Sequence, residues 1–454
     1  MSRAQEGTHL MHPRNATTEP HAESADLDIV VLDTGNPVLA DALLARGHRV
    51  SFVVPNASAD LYGGRYPGVP VHGVSRWDDR DEMRRLAREL GSVDVVTTID
   101  EQSVVAAAVL REAVGAPGMG VDDALAYTSK AVAKRRCAAA GVPTAAFRVV
   151  RHASEIAGVA EEIGYPLIVK HEAGIGTLNT FTIRGPDDLD RRLAEGAFDV
   201  AVDDPLGRFS AGTVARSLHA SGGFVVEQYL DVAAEYCCDL YRYVDEESGE
   251  EEILVAAVGR YSEPCLRIVG REWHQTFLPP GSREAQEVRA VAVRGVRALG
   301  KLTGATHCEI LRTKDGRLWF GEAGARPGGA GIWHATNAMY GHDGVAALAA
   351  MAVGQRPEIP AAPVHDTVAN ILVVPEPGVV RSAPTTEEVL GIPGVVDADI
   401  RLVVGEPVPA GIGTISAGGR IVYVPRAADE VEAEVAELRQ KLGITVERAE
   451  GAEF

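Results

Sequence analysis

Nowhere does this chain of 454 residues hold a run of about 18 apolar residues, so no membrane-spanning helix is expected and no membrane partner. The opening stretch MSRAQEGTHLMHPRNATTEPHAESAD lacks the apolar segment of a secretory signal; residues 1–26 are expected to be a disordered tail and the protein cytoplasmic. Positive charge is scarce as well. Lys and Arg number 44 against 64 Asp and Glu, a formal net charge of -20, which suits no phosphate backbone and excludes nucleic acid as the expected partner. The cysteines, Cys137, Cys237, Cys238, Cys265 and Cys308, make neither a CxxC pair nor a zinc spacing, and buried thiols in a reducing compartment account for them. Two nucleotide signatures are missing too. Gly35 stands alone after the first strand where GxGxxG would bind a dinucleotide, and no GxxxxGK followed by Ser or Thr occurs to make a P-loop.

What is present is an ordinary globular composition, 46% hydrophobic and 24% charged, in a chain longer than one core usually organises; two or three domains are expected. "LDIVVLDTGN", "PVLADALLARGH" and "RVSFVVPN" read as strand, helix and strand, which "VDVVTTIDE" and "QSVVAAAVLREAVG" extend into a doubly wound α/β domain over residues 27–120. The middle of the chain, residues 121–361, changes to α+β. The basic helix "YTSKAVAKRRCAAAGVPT" is followed by "YPLIVKHEAGIGTLNTFTI", "GGFVVEQYLDVAAEYCCDLYRYV" and "EEILVAAVGRYS", rich in Val, Ile, Tyr and Phe, which predict antiparallel strands. Cys237 and Cys238, adjacent on one of them, should face opposite sides. Residues 362–454 add short strands and a final helix, a small closing domain.

The segment "THCEILRTKDGRLWFGEAGARPGG" carries the most chemistry. Asp315-Gly316 signals a hairpin, and counting outward from Lys314 opposite Arg317 sets Glu309 against Glu322 on one face, their Cβ atoms roughly 4.5–5.5 Å apart. Two carboxylates so close repel unless a cation lies between them or one is protonated, and Mg²⁺ carried by a nucleotide is the simplest cation; a solvated edge pair is the plain alternative. Lys170 closes "PLIVK" and is followed by a glycine loop whose N–H groups could fold over an anion, and Lys130 lies on the basic helix, so the two lysines and the loop suit a phosphate clamp.

The order of these motifs, Lys130 before "AAAGVPT", then "YPLIVK" and its glycine loop, "VVEQYL", "THCEILRTKDG" and "GEAGARPGG", resembles the ATP-grasp superfamily over residues 28 to about 430. The resemblance implies a pre-ATP-grasp α/β domain, a two-lobed ATP-grasp region and a C-terminal domain. It implies ATP and Mg²⁺ (or Mn²⁺) as cofactors, with Lys130 and Lys170 on the phosphates and the loop at 172–179, including Gly174, Gly176 and Thr177, folding over the γ-phosphate. Glu227, Gln228, Tyr229 and Leu230 would line the adenine, Glu235 would accept the ribose hydroxyls, Glu309 and Glu322 would bind the metal, and Arg326 would face the reacting group. The family usually has Asn where Gly324 stands, so a metal ligand is missing there.

Within the superfamily the "EAGARPGG" arm looks most like the ATP-dependent amino-acid ligases of specialised metabolism such as antibiotic biosynthesis, which join two amino acids, or an amino acid to a peptide, through an acyl phosphate. Ala330, where a bulky residue can stand in those ligases, implies a roomier pocket, with Trp333 and His334 as candidate walls or as core. His274, in the stretch "GREWHQTFLPPG" near the acceptor site in this family, is a candidate general base for the amine. A bicarbonate-phosphorylating carboxylase, a purine-pathway ligase and a nucleotide-binding protein whose catalysis has lapsed are the competing readings. The expected partners are small amino-acid or peptide substrates, and a homodimer is compatible with the sequence.

Overall fold

The computed structural model describes residues 26–172, 180–198, 223–245, 247–408 and 418–448. β1 (Asp28–Leu32), β2 (Arg49–Pro55), β3 (Val71–Val74) and β4 (Val95–Thr97) form a parallel sheet in the order β3-β2-β1-β4. Ile29–Leu32 of β1 and Phe52–Val54 of β2 are continuous apolar runs because both faces are covered. Ile29, Val31 and Phe52 pack with Leu39 and Leu43 of the helix Val38–Ala45, while Val30, Leu32 and Val53 pack on the other side with Leu86 and Leu110 of the helices Arg80–Leu90 and Val104–Val114. The doubly wound arrangement expected from the sequence is therefore present. Strand order reverses between β1 and β4, and the crevice at their carboxyl ends is where such sheets receive ligands.

Two antiparallel sheets follow. β5 (Phe147–Val150), β6 (Leu167–His171), β7 (Phe181–Ile183) and β8 (Phe224–Gln228) make a small sheet in the order β5-β8-β6-β7. Tyr229, Leu230 and Asp231 then carry the chain across to β9 (Val232–Val244), which with β10 (Glu251–Tyr261), β11 (His274–Phe277), β12 (Gly304–Thr313) and β13 (Leu318–Gly324) begins a large sheet. The remaining strands are β14 (Val368–Leu372), β15 (Gly378–Ser382), β16 (Val395–Ile400), β17 (Pro407–Val408), β18 (Gly419–Tyr423) and β19 (Thr445–Glu447). β14, β18 and β16 extend the large sheet, giving β13-β12-β9-β10-β11-β14-β18-β16, and β17-β15-β19 stand apart. The C-terminal segment thus has its own apolar cluster, with Ile371, Ile421, Val435 and Leu438, yet is joined to the middle of the chain by one continuous sheet. Pairing of β11 with β14, Gln275 opposite Asn370, covers a strand edge that would otherwise be exposed.

Cys237 and Cys238 do face opposite cores, and all five cysteines are free and buried. The β12–β13 hairpin pairs Glu309 with Glu322 as counted from the sequence, but by a different route. Its tip is the three-residue loop Lys314-Asp315-Gly316, closed by the Thr313 carbonyl accepting from Gly316 N–H at 2.8 Å and by Thr313 N–H donating to Arg317 O at 3.0 Å, with Gly316 at φ 86°. That loop displaces the count by one residue, and Gly321 displaces it back. Between the pairs Glu309–Glu322 and Ile310–Phe320 it is an extra residue on β13, a bulge. A Cβ at 321 would lie 2.9 Å from the Glu309 carbonyl oxygen, so only glycine fits there without a shift.

Candidate active site

Because side chains alternate along a strand, one face of β9, β12 and β13 collects the polar residues. Glu235, Cys237 and Asp239 of β9 stand beside Leu311, Glu309 and His307 of β12, and Glu309 and His307 pair in turn with Glu322 and Gly324 of β13. The opposite face sends Cys238, Cys308 and Ala323 into the core beneath the helix Arg283–Leu299.

Between the small sheet and this face lies a cavity of about 540 Å³. Lys130, Lys170, Glu227, Gln228, Tyr229, Leu230, Glu235, Glu309 and Glu322 all line it, so the structure brings together nearly every residue expected there. Lys130 is the first residue of the helix Lys130–Ala139, whose start is fixed by Ser129 Oγ accepting from Val132 N–H at 3.2 Å. Its Nζ lies 3.2 Å from Glu322 Oε2. Lys170 Nζ lies 3.0 Å from Glu227 Oε1. Glu235 Oε2 accepts from Cys265 N–H at 2.8 Å.

The two hairpin acids differ in charge balance. Burial, then Glu322 and Glu235, push the Glu309 carboxyl well above the usual range. Burial also opposes ionisation of Glu322, but Lys130 and Lys170 outweigh it and hold that carboxyl low. A divalent cation between the pair would relieve the repulsion at Glu309 with hard oxygen ligands, and the two ammonium groups suit phosphate oxygens. The donor set therefore fits Mg²⁺ and a nucleoside triphosphate, with Glu309 and Glu322 as the metal-holding residues.

A smaller cleft shares Lys130 and Glu322 with this cavity and is completed by Glu101, His307, Gly324 and Arg326. Arg326 donates through Nε to Glu101 Oε2 at 2.6 Å and through Nη1 to Pro327 O at 3.0 Å. Asp239 ties the cleft together: its Oδ1 is 2.7 Å from His307 Nδ1, and its Oδ2 accepts from Gly328 N–H at 3.0 Å. A side chain at 324 would begin 3.3 Å from Glu101 Oε2, so the space left by Gly324 borders an acid contributed by the N-terminal domain.

One expectation is corrected. His274 lies on β11 with Nε2 3.0 Å from Glu432 Oε1, is 4% exposed and lines neither cleft; burial lowers its basicity. The β11–β14 pairing carries it toward the C-terminal helix, away from the reacting groups. Glu227 lines the cavity as expected, and its carboxylate is also paired with Lys170 and Lys134. Of the two readings of Trp333 the core one holds, with its indole N–H donating to the Tyr241 hydroxyl, and neither it nor His334 lines either of these two clefts. Gly174, Gly176 and Thr177 lie outside the described residues. Glu101, Lys134, Asp239 and His307 were missed. Each had a signal: Glu101 follows the carboxyl end of a parallel strand, Lys134 is one helical turn from Lys130, and His307 shares the parity of Glu309.

No family model matches the chain. An L-arginine-specific L-amino acid ligase of Bacillus subtilis is 23% identical over 354 residues, 77% of this chain and 80% of that protein. The crystal structure of an L-amino acid ligase from Bacillus licheniformis superimposes with a TM-score of 0.68 at 17% identity, over 94% of this chain and 100% of that one. The chain has the ATP-grasp fold. The ATP-grasp fold is shared more widely: the biotin carboxylase domain of a 2-oxoglutarate carboxylase from Hydrogenobacter thermophilus, in complex with MgADP and bicarbonate, superimposes with a TM-score of 0.62 at 14% identity, over 93% of this chain and 92% of that one. No helix of the described residues is long and apolar enough to cross a membrane.

Proposed function

We propose that this protein is an ATP-grasp ligase that forms an amide or peptide bond between two amino acids, or between an amino acid and a peptide. The observation that carries the reading is the acidic crevice at the carboxyl end of β1, next to which Glu101 of the smaller cleft follows Asp100 in the chain. At the carboxyl end of β1, the N–H groups of Gly35 and Asn36 would suit a phosphate, but Asp33 Oδ1 accepts both, at 2.6 and 2.8 Å. The Thr34 N–H and hydroxyl likewise donate to Asp100 Oδ2, at 2.7 and 2.8 Å. With these donors satisfied by carboxylates and Glu101 beside them at Arg326, the crevice favours an ammonium group over the phosphorylated substrate of a purine-pathway ligase.

When bound, ATP supplies the phosphoryl group that turns the substrate carboxylate into an acyl phosphate, and attack of the amine nitrogen on the acyl carbon then releases phosphate. The chain contributes position and charge. Lys130 and Lys170 would meet phosphate oxygens, Glu309 and Glu322 would hold Mg²⁺ or Mn²⁺, and Arg326 would present its guanidinium to the reacting carboxylate, with Glu101 fixing its direction. Assembly as a homodimer is a separate part of the proposal, read by sedimentation.

The test is ATP-dependent phosphate release across pairs of amino acids and short peptides, with mass analysis of products. Release should require an amino acid and yield a product lighter than the summed substrates by one water. A requirement for bicarbonate in place of the amine, or nucleotide binding without release on any pair, would overturn the reading.

A further inference from the structure

We propose that Lys134 is a positioning residue for the phosphate end of the nucleotide site: acting through Glu227, it keeps the charge of Lys170 directed into the cavity. The inference rests on the nucleotide reading above and adds a residue that does not itself line the cavity.

Lys130 and Lys134 are one turn apart on the helix Lys130–Ala139 and share a face. Lys130 reaches the cavity, whereas Lys134 stops short of it and is 1% exposed. An ammonium group so buried is costly unless an acid compensates it. Among the described residues that acid is Glu227, 6% exposed, whose Oε2 lies 3.3 Å from Lys134 Nζ. The other oxygen of the same carboxylate, Oε1, lies 3.0 Å from Lys170 Nζ. β8 and β6 are paired, so Glu227 and Lys170 are set by the same backbone ladder. The result is a buried row of cation, anion and cation.

The charge count of that row explains why a second lysine is needed. Glu227 and Lys170 alone would sum to zero, and the carboxylate would draw the ammonium back from the cavity. With Lys134 on the far oxygen, the row carries one net positive charge, and its cavity end is Lys170. Lys134 thus raises the field at the phosphates without touching them.

The experiment compares ATP with adenosine by calorimetric titration in the presence of Mg²⁺, using the full chain as wild type, Lys134→Met, Lys134→Arg and the double variant Lys134→Met with Glu227→Gln. Lys134→Met should lose about tenfold or more of the preference for ATP over adenosine, with adenosine affinity unchanged, and Lys134→Arg should restore most of it. A merely structural lysine would lower both affinities and thermal stability together. The double variant removes the charges of Lys134 and Glu227 together and frees Lys170 from the Glu227 ion pair, so it should keep the preference even if Lys134→Met alone fails to fold. The wild-type preference retained in Lys134→Met, or lost in the double variant, would overturn the inference while leaving the nucleotide site intact. A wild-type protein that does not favour ATP over adenosine would overturn both.

Discussion

Replacing Glu309 by glutamine should stabilise the ligand-free protein and weaken the protein loaded with nucleotide, an inversion that few structural roles would produce. Glu309 is half-buried opposite Glu322, and their mutual repulsion is the second cause, after desolvation, that pushes its carboxyl up. At a separation of about 5 Å and an effective dielectric constant of about 20, two unit charges repel by about 3 kcal/mol. Lys130, 3.2 Å from Glu322 Oε2, and Lys170 offset part of this. A net relief of about 1 kcal/mol is therefore expected at neutral pH, a rise in melting temperature of about 2–4 °C for a medium-sized domain. Ligand works the other way. Mg²⁺ and ATP at about 100 times the dissociation constant should stabilise the wild type by about 2.7 kcal/mol, and Glu309→Gln should lose most of the part that depends on Mg²⁺. Thermal melts with no ligand, with ATP and chelator, and with ATP and Mg²⁺ read all three states. A variant that melts below the wild type without ligand, or that keeps the full Mg²⁺-dependent gain, would refute the assignment of these acids as a metal pair.

Burial and the neighbouring Asp33 push the Asp100 carboxyl up to about 6 from 3.8. A raised acid keeps its proton in the folded state, so its cost to stability grows from pH of about 4 to about 6 and reaches at most about 3 kcal/mol. Asp100→Asn should therefore gain on the wild type across that window in urea unfolding, and parallel pH profiles for the two proteins would contradict the burial argument. In Gly328→Ala the added Cβ would lie 2.5 Å from Ile332 Cγ2 and 2.6 Å from Asp239 Oδ2, displacing the arm that carries Arg326. A fall in kcat/KM of about 100-fold is expected, and wild-type kinetics would show that the arm's position does not matter. His274→Gln should lose about 1 kcal/mol of stability with its Glu432 contact but leave turnover unchanged, and a matching loss of kcat would reinstate the histidine in the chemistry.

Much of the site was legible because strand alternation and hairpin register are local rules. They place Glu309, Glu322 and His307 on one face from residue counting alone, although His307 was overlooked. The pairing of the two acids was inferred through a two-residue turn, while the protein reaches it through a longer tip and the Gly321 bulge. What stayed hidden depends on distant segments. Nothing near Arg326 announces that Glu101, far earlier in the chain, supplies its partner, since that contact exists only after the N-terminal domain docks. His274 misled for the same reason: the strand it sits on is captured by β14, a pairing set by edge covering rather than by any motif. The acidic sockets around Asp33 and Asp100 were equally invisible, because side chains satisfying backbone donors leave no periodicity to read.

The hairpin tip and the Gly321 bulge have a consequence for how this region can vary in length. Each adds one residue out of step, and only their sum returns Glu322 to the side of Glu309. Insertions and deletions here are therefore tolerated by parity: a single gained or lost residue in either place would trade Glu322 for a core side chain, whereas paired changes cancel. Length variants that work should differ by compensating pairs, so that aligning such sequences by motif alone would misplace one residue between the two strands while leaving both glutamates correctly matched.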